Sequence, residues 1–230
     1  DIGKEEAMKV ALVQWDIKKG NFKENAQKLC QLAEQAAKTQ PDVIVLPEMW
    51  NISYALTELE HLADKDGAES FTFLSKLAKK YRIPIVGGSV ATKREGQFFN
   101  TAYTADADGS LINQYDKVHL FGLMAEDQYL SAGQSDSQFI IAGHPASQVI
   151  CYDIRFPEWV RKQMATGSEI LFVSAQWPKE RAFQWKVLLQ ARAIENQAFV
   201  VAVNRVGQEG SEGFGGGSLV IDPLGQILLE

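Results

Sequence analysis

Cysteine is scarce in this chain. Only Cys30 and Cys151 occur among 230 residues, so neither a disulfide framework nor a four-cysteine zinc site can form. Histidine is almost as rare. His61, His119 and His144 stand far apart, without the paired spacing of a metal site. Positive charge is not in surplus either: 23 Lys and Arg face 29 Asp and Glu, for a net charge of −6 and a pI near 5.2. A chain this acidic, with no basic block, is not expected to partner nucleic acid or an anionic membrane. Long apolar runs are missing, since Ala198 to Val203 is the longest and a bilayer needs about 20 residues. Residues 1–7 are polar and lack the apolar stretch of a signal peptide. They read as a polar arm or non-native remnant before Met8, and the expected location is cytoplasmic. Repeats, low-complexity tracts and dividing linkers are also absent, so 8–230 is expected to be one domain.

What is present is ordinary globular material, 46% hydrophobic and 23% charged. Short apolar runs alternate with amphipathic segments, which predicts an α/β fold. Strands are expected at Val10–Gln14, Val43–Leu46, Ile83–Val90, Thr101–Ala105, Gln148–Cys151, Ile170–Ser174, Phe199–Asn204 and Ser218–Asp222. Helices are expected at Asn25–Lys38, Phe71–Tyr81, Glu158–Ala165 and Glu180–Gln197. In the first of these, Cys30 beside Leu29 reads as a packed structural cysteine.

Three segments put reactive groups at strand ends, where α/β folds gather their sites. In Val45-Leu46-Pro47-Glu48-Met49-Trp50 a carboxylate follows a buried strand. Partial burial would tune it for general-base work, although the segment alone fits a solvated loop glutamate better. In Asp116-Lys117-Val118-His119-Leu120-Phe121, Lys117 offers a fixed positive charge; read in isolation it is a surface lysine. His119 invites a Cys–His pairing, but between two apolar residues it fits a satisfied core histidine better. The third segment, Val149-Ile150-Cys151-Tyr152-Asp153-Ile154-Arg155-Phe156-Pro157-Glu158, ends a strand on a thiol just before a proline-started helix. That is the pattern of a nucleophile elbow. The glycine-rich Gly213 to Ser218 run is a decoy, because it precedes a strand where a phosphate loop would open a helix.

Taken in order, these Glu, Lys and Cys motifs resemble those of the nitrilase superfamily of carbon–nitrogen hydrolases, from Met8 to the end of the chain. Ser174-Ala175-Gln176-Trp177-Pro178, Ala191 to Gln197 and Asn204-Arg205-Val206-Gly207 resemble most closely its omega-amidase branch, which cleaves the side-chain amide of 2-oxo acids such as 2-oxoglutaramate. The resemblance implies an α-β-β-α sandwich that pairs through helices into a homodimer, and a reaction without metal or organic cofactor. It makes Cys151 the nucleophile, Glu48 the acid and base, and Lys117 with the Tyr152 backbone N–H the oxyanion donors. Glu126 matches the second family glutamate that positions the triad. Two departures stand out: Ala132 replaces a frequent proline, and the chain stops at Glu230 where relatives continue.

The implied substrate is a small-molecule amide bearing a carboxylate. Its anion needs a cation, for which Arg155 is the first candidate and Arg181 the second. Arg155 equally suits an internal salt bridge to Asp153 or Glu158. Trp177 and Tyr54 are candidate pocket walls. Alternatives within the superfamily are a nitrilase, an N-carbamoyl hydrolase and a deaminated-glutathione amidase. Outside it stand a papain-like Cys–His hydrolase and a nonenzymatic interaction domain.

Overall fold

The computed structural model describes residues 7–230; most of the expected N-terminal arm, residues 1–6, lies outside them. Fifteen strands and six α-helices follow one another among these residues. The first sheet contains β1 (Val10–Leu12), β2 (Val43–Val45), β3 (Asp64–Lys65), β4 (Ile85–Val86), β5 (Val90–Arg94), β6 (Gln97–Ala105) and β7 (Leu111–Asp116). Its order is β1-β2-β4-β6-β5-β3, with β7 paired to β6. The second contains β8 (Gln138–Ile141), β9 (His144–Ile150), β10 (Ile170–Ala175), β11 (Phe199–Asn204), β14 (Leu219–Ile221) and β15 (Ile227–Leu229). It runs β15-β14-β11-β10-β9-β8. Between β11 and β14 the chain forms a separate hairpin of β12 (Val206–Glu209) and β13 (Glu212–Gly215).

The helices are α1 (Phe22–Lys38), α2 (Leu59–Leu62), α3 (Ala68–Tyr81), α4 (Glu126–Tyr129), α5 (Pro157–Met164) and α6 (Ala182–Asn196). Side-chain alternation along the strands explains the layering. Ile44 and Leu46 face Leu29 and Ala33 of α1 and Leu74 of α3, whereas Val43 and Val45 face Phe139, Phe172, Val201 and Val203 of the second sheet. On the far side, Leu171, Val173, Val200 and Ala202 pack on Val160 of α5 and Trp185 and Leu189 of α6. The result is helix, sheet, sheet, helix: the expected α-β-β-α sandwich. Strands with both faces covered are largely apolar, as β2 and, but for Ser174, β10 are.

Two local expectations are corrected. The run Ile83–Val90 is two strands, because the chain breaks at Gly87-Gly88-Ser89. There Gly88 has φ +63°, and any Cβ on it would lie 2.0 Å from the Pro47 carbonyl oxygen. Cys30, expected to be packed, is exposed; it sits beside the buried stripe of α1 instead of within it.

Candidate active site

Parallel strands aim their C-terminal ends in one direction, and four strand ends supply the site. Glu48 follows β2, Lys117 follows β7, Cys151 follows β9 and Gln176 follows β10. Parallel pairing of β9 with β10, Ile150 opposite Ser174, sets the last two side by side. β2 is brought in from the other sheet through the shared apolar layer.

Glu48 is fully buried, as is Lys117. The isolated readings of a solvated glutamate and a surface lysine therefore both fail, and the cause is packing from distant segments. The Lys117 ammonium lies 2.8 Å from Glu48 Oε1 and 2.6 Å from Glu126 Oε2. Burial alone would push this ammonium towards neutrality, but the charges of Glu126 and Glu48 outweigh it and hold Lys117 above the ordinary lysine range. Burial in turn raises the Glu126 carboxyl, with Lys117 opposing and Glu48 adding. The Phe121 N–H also donates to Glu126 Oε2, at 2.7 Å, so the loop after Lys117 is tied to the same carboxylate.

The two glutamates share further donors. Asn100 Nδ2 reaches Glu48 Oε1 at 2.8 Å and Glu126 Oε1 at 3.1 Å. The Tyr54 hydroxyl donates to Glu48 Oε1 at 2.8 Å. Burial and the two carboxylate charges push the Tyr54 phenol well up, which keeps it a donor. Tyr54 thus stands against the carboxylates and is absent from the cleft wall. Glu48 Oε1 already has three donors, while Oε2 has only the Gln176 N–H, at 2.8 Å, among the described residues. Oε2 is therefore the atom with capacity for a proton.

Cys151 has φ +45° and opens the single-turn helix Cys151–Arg155, ahead of α5, whose first residue is Pro157. A non-glycine residue in this region is strained, and the conformation lifts the thiol off the strand end. The first N–H groups of a helical turn lack acceptors within that turn, and Tyr152 is the second residue of this one. Cys151 is buried. Desolvation pushes its thiol well up, Glu48 adds to the shift and Lys117 opposes it. A standing thiolate is thus disfavoured. Handing the proton to Glu48 leaves the net charge of the pocket unchanged and puts the sulfur anion near Lys117.

Cys151 opens into a narrow cleft walled by Phe121, Tyr152, Arg155, Trp177, Pro178 and Arg181. A larger hollow of about 440 Å³ lies on the other side of Trp177, along α6, and does not reach the sulfur. Arg155 makes no ion pair among the described residues; its guanidinium lies 5.3 Å from the Trp177 ring centre and 5.9 Å from that of Tyr152. The bridge to Asp153 is absent, because Asp153 is occupied by Tyr115, the Ile150 N–H and His119. Arg181 lies 5.6 Å from the Phe121 ring centre, and its carbonyl accepts the Trp177 indole N–H at 2.7 Å.

The histidines stand apart from this chemistry. His119 Nδ1 pairs with Asp153 Oδ1 at 2.8 Å and its ring stacks on Phe156. His144 begins β9, at the opposite end of the strand from Cys151, and pairs with Glu169. Sequence reasoning missed Asn100 and the contacts of Gln176 and Arg205. Arg205 carried one usable signal, a cation directly after the apolar strand Phe199–Asn204.

Residues 9–230 match the model of the carbon-nitrogen hydrolase family. The chain is 48% identical over 221 residues to 2-oxoglutaramate amidase of Bacillus subtilis (strain 168), covering 96% of this chain and 85% of that protein. It is 31% identical to omega-amidase NIT2 of Mus musculus, over 90% of this chain and 78% of the relative. Among solved structures it is similar to XC1258 from Xanthomonas campestris, a CN-hydrolase superfamily protein with an arsenic adduct in its active site. There the TM-score is 0.91 at 32% identity, covering 98% of this chain and 86% of the other. Nit3 of Saccharomyces cerevisiae, a member of branch 10 of the nitrilase superfamily, gives a TM-score of 0.88 at 29% identity, covering 96% and 84%. With a family match over nearly its whole length and a sandwich of the same shape, this chain belongs to the carbon–nitrogen hydrolases.

Proposed function

We propose that this hydrolase is an omega-amidase that releases ammonia from the terminal amide of a small 2-oxo acid, with 2-oxoglutaramate as the favoured substrate. The observation that carries the reading is one strained, buried thiol beside a Glu48–Lys117–Glu126 array, opening on a cleft that holds an arginine without a carboxylate partner. Similarity to 2-oxoglutaramate amidase supports the choice of substrate.

The reaction proceeds in two halves. Glu48 Oε2 takes the Cys151 proton as sulfur bonds to the amide carbon. The carbonyl oxygen becomes an oxyanion held by the Lys117 ammonium and the Tyr152 N–H. Collapse of this adduct breaks the carbon–nitrogen bond, and Glu48 passes its proton to the departing nitrogen, which leaves as ammonia. Water then attacks the thioester while Glu48 takes a proton from it. When the second adduct collapses, the acid is freed and the proton returns to Cys151. One carboxylate acts in both directions, which suits a group whose protonation changes without altering the charge of the pocket. Glu126 holds Lys117 and the Phe121 loop. Arg155 pairs with the substrate carboxylate, Trp177 and Tyr152 flank it, and Arg181 borders the cleft mouth. Tyr54 contributes by donating to Glu48.

We read residues 8–230 as one domain, because the central apolar layer draws on both sheets. We also propose a homodimer. Phe183, Val187 and Ile194 share one stripe of α6 and are 75%, 45% and 53% exposed, an unusual concentration of apolar surface on one helix. No helix among the described residues is long and apolar enough to cross a membrane. A cytoplasmic site of action fits an acidic chain with an unpaired catalytic thiol.

Ammonia release from a panel of 2-oxo acid amides, neutral amides, carbamoyl compounds and nitriles tests the substrate. The 2-oxo acid amides are expected to have the highest kcat/KM. Faster turnover of a nitrile or carbamoyl compound would replace this reading with one of its superfamily alternatives.

A further inference from the structure

One residue of the site touches both reacting groups through its backbone. The Gln176 N–H donates to Glu48 Oε2 at 2.8 Å, and its carbonyl oxygen lies 3.9 Å from Cys151 Sγ. Gln176 is therefore a spacer between base and nucleophile. Its own position is fixed from the other end, by its side chain. Gln176 Nε2 donates to the Glu48 backbone carbonyl at 2.8 Å, while Gln176 Oε1 accepts from Arg205 Nη1 at 2.9 Å and lies 3.0 Å from Ser53 Oγ, whose single proton has Glu209 Oε2 at 2.5 Å as its nearer acceptor.

Arg205 is the anchor of this arrangement. Its guanidinium is completely buried and reaches four separate segments. Nη2 donates to Asp16 Oδ1 at 2.9 Å and to the Ile17 carbonyl at 2.7 Å. Nη1 meets Ser53 Oγ at 3.0 Å, Gln176 Oε1 at 2.9 Å and Glu209 Oε2 at 3.2 Å. The face of Phe214 from the β12–β13 hairpin lies 4.4 Å away. A buried cation with two carboxylates and this many acceptors cannot slide, since each lost partner strands a charge or a polar group out of water.

We propose that Gln176 is a positioning residue for the Glu48–Cys151 proton transfer, and that Arg205 fixes it there. This inference rests on the reading of Glu48 as base and Cys151 as nucleophile. The pair acts through geometry, not by touching substrate. Proton transfer is sharply distance-dependent, and a misplacement of about 1 Å can cost about 10²-fold in rate. The arrangement also explains why the hairpin and the Asp16 loop, which bring no reactive group, are tied to the centre: they complete the cage around Arg205.

The test compares wild type with Gln176→Met, which keeps side-chain volume and removes both amide contacts, and with the milder Ser53→Ala, which removes the hydroxyl that links Arg205 Nη1, Glu209 Oε2 and Gln176 Oε1. Melting temperature and the fraction of titratable Cys151 are measured beside kcat and KM for 2-oxoglutaramate. Glu48→Gln and Cys151→Ala are run in parallel. Per titratable thiol, Gln176→Met is expected to lose about 10²-fold in kcat with KM within about threefold. Ser53→Ala should lose kcat in the same direction by a smaller factor, and it decides the matter if Gln176→Met does not fold. Unchanged kcat per titratable thiol in whichever of these folds, with Glu48→Gln and Cys151→Ala inactive, overturns the inference and leaves the site reading intact. Full activity of Glu48→Gln overturns both.

Discussion

At the scale of single residues, this site turns on what burial does to three ionisable groups. Lys117 is charged because two carboxylates outweigh its desolvation, and Cys151 is neutral because nothing outweighs its own. The sign for thiol chemistry follows. Cys151 is raised above the ordinary thiol value of 9.0, so its alkylation by iodoacetamide in resting enzyme should be slow at neutral pH and climb through the alkaline range. Exposed Cys30 should label readily throughout. Only Cys151 labelling should be slowed by bound substrate, and Cys151→Ala should abolish turnover where Cys30→Ala leaves it unchanged. Peptide mapping after timed labelling decides this; equal substrate protection of both cysteines would remove Cys151 from the centre. Arg155 carries the second residue-scale prediction. Arg155→Lys should raise KM for 2-oxoglutaramate by about tenfold, as a point charge replaces a bidentate fork, with a neutral amide little affected. Equal losses on both substrates would make Arg155 structural.

Individual residues were legible in the sequence to different depths. The ordered motifs picked out Glu48, Lys117, Glu126 and Cys151, yet the local surroundings of Glu48 and Lys117 argued for solvated side chains. The difference is physical. Glu48 meets Asn100, Lys117 and Gln176, each more than fifty residues away, so no window around it contains its surroundings; for Lys117 only Glu126, nine residues on, is near in sequence. Asn100 gave no signal and Gln176 none beyond its place in a family-like segment, because an amide at a strand looks the same whether it faces water or a carboxylate.

At the scale of elements, the apolar strands and long helices follow the hydrophobic pattern closely, and the departures fall where that pattern thins. The β12–β13 hairpin is rich in glycine and polar residues and passes for a loop, and β8 is largely apolar but only four residues long. The break inside Ile83–Val90 depends on a contact with Pro47 that lies far away in sequence. That break has a role. Ser89 Oγ accepts the Met49 N–H at 2.9 Å, Ser89 O accepts the Trp50 N–H at 3.0 Å, and the Gly87 carbonyl accepts the Trp50 indole at 2.8 Å. The loop after β2 that presents Glu48 is thereby stitched to the break. Gly88→Ala should therefore cost about 1–3 kcal/mol of stability from the positive φ alone and more from its Cβ against the Pro47 carbonyl, and lower kcat in the protein that remains folded. Chemical denaturation with kinetics on the same samples reads both; loss of stability alone would uncouple the break from Glu48.

For the whole molecule, the sandwich explains why the reactive groups converge. Two sheets packed face to face bring β2 and β9 together although a hundred residues separate them, and the ends of parallel strands do the rest. The outer face of α6 is the part of this architecture left uncovered. If it pairs two copies, Phe183→Glu should shift the sedimenting species from dimer to monomer while the fold persists. A monomeric wild type, or a dimer indifferent to this change, would reject α6 as the interface.

The central claim is that ammonia release passes through a thioester on Cys151. Rapid quenching of enzyme with 2-oxoglutaramate, followed by mass spectrometry of the Cys151 peptide, observes it directly. The account predicts an adduct equal to substrate less ammonia, confined to Cys151, that forms with a stoichiometric burst of ammonia and decays at the turnover rate. Steady ammonia release with no adduct at Cys151 at any quench time, or from Cys151→Ala, would contradict it.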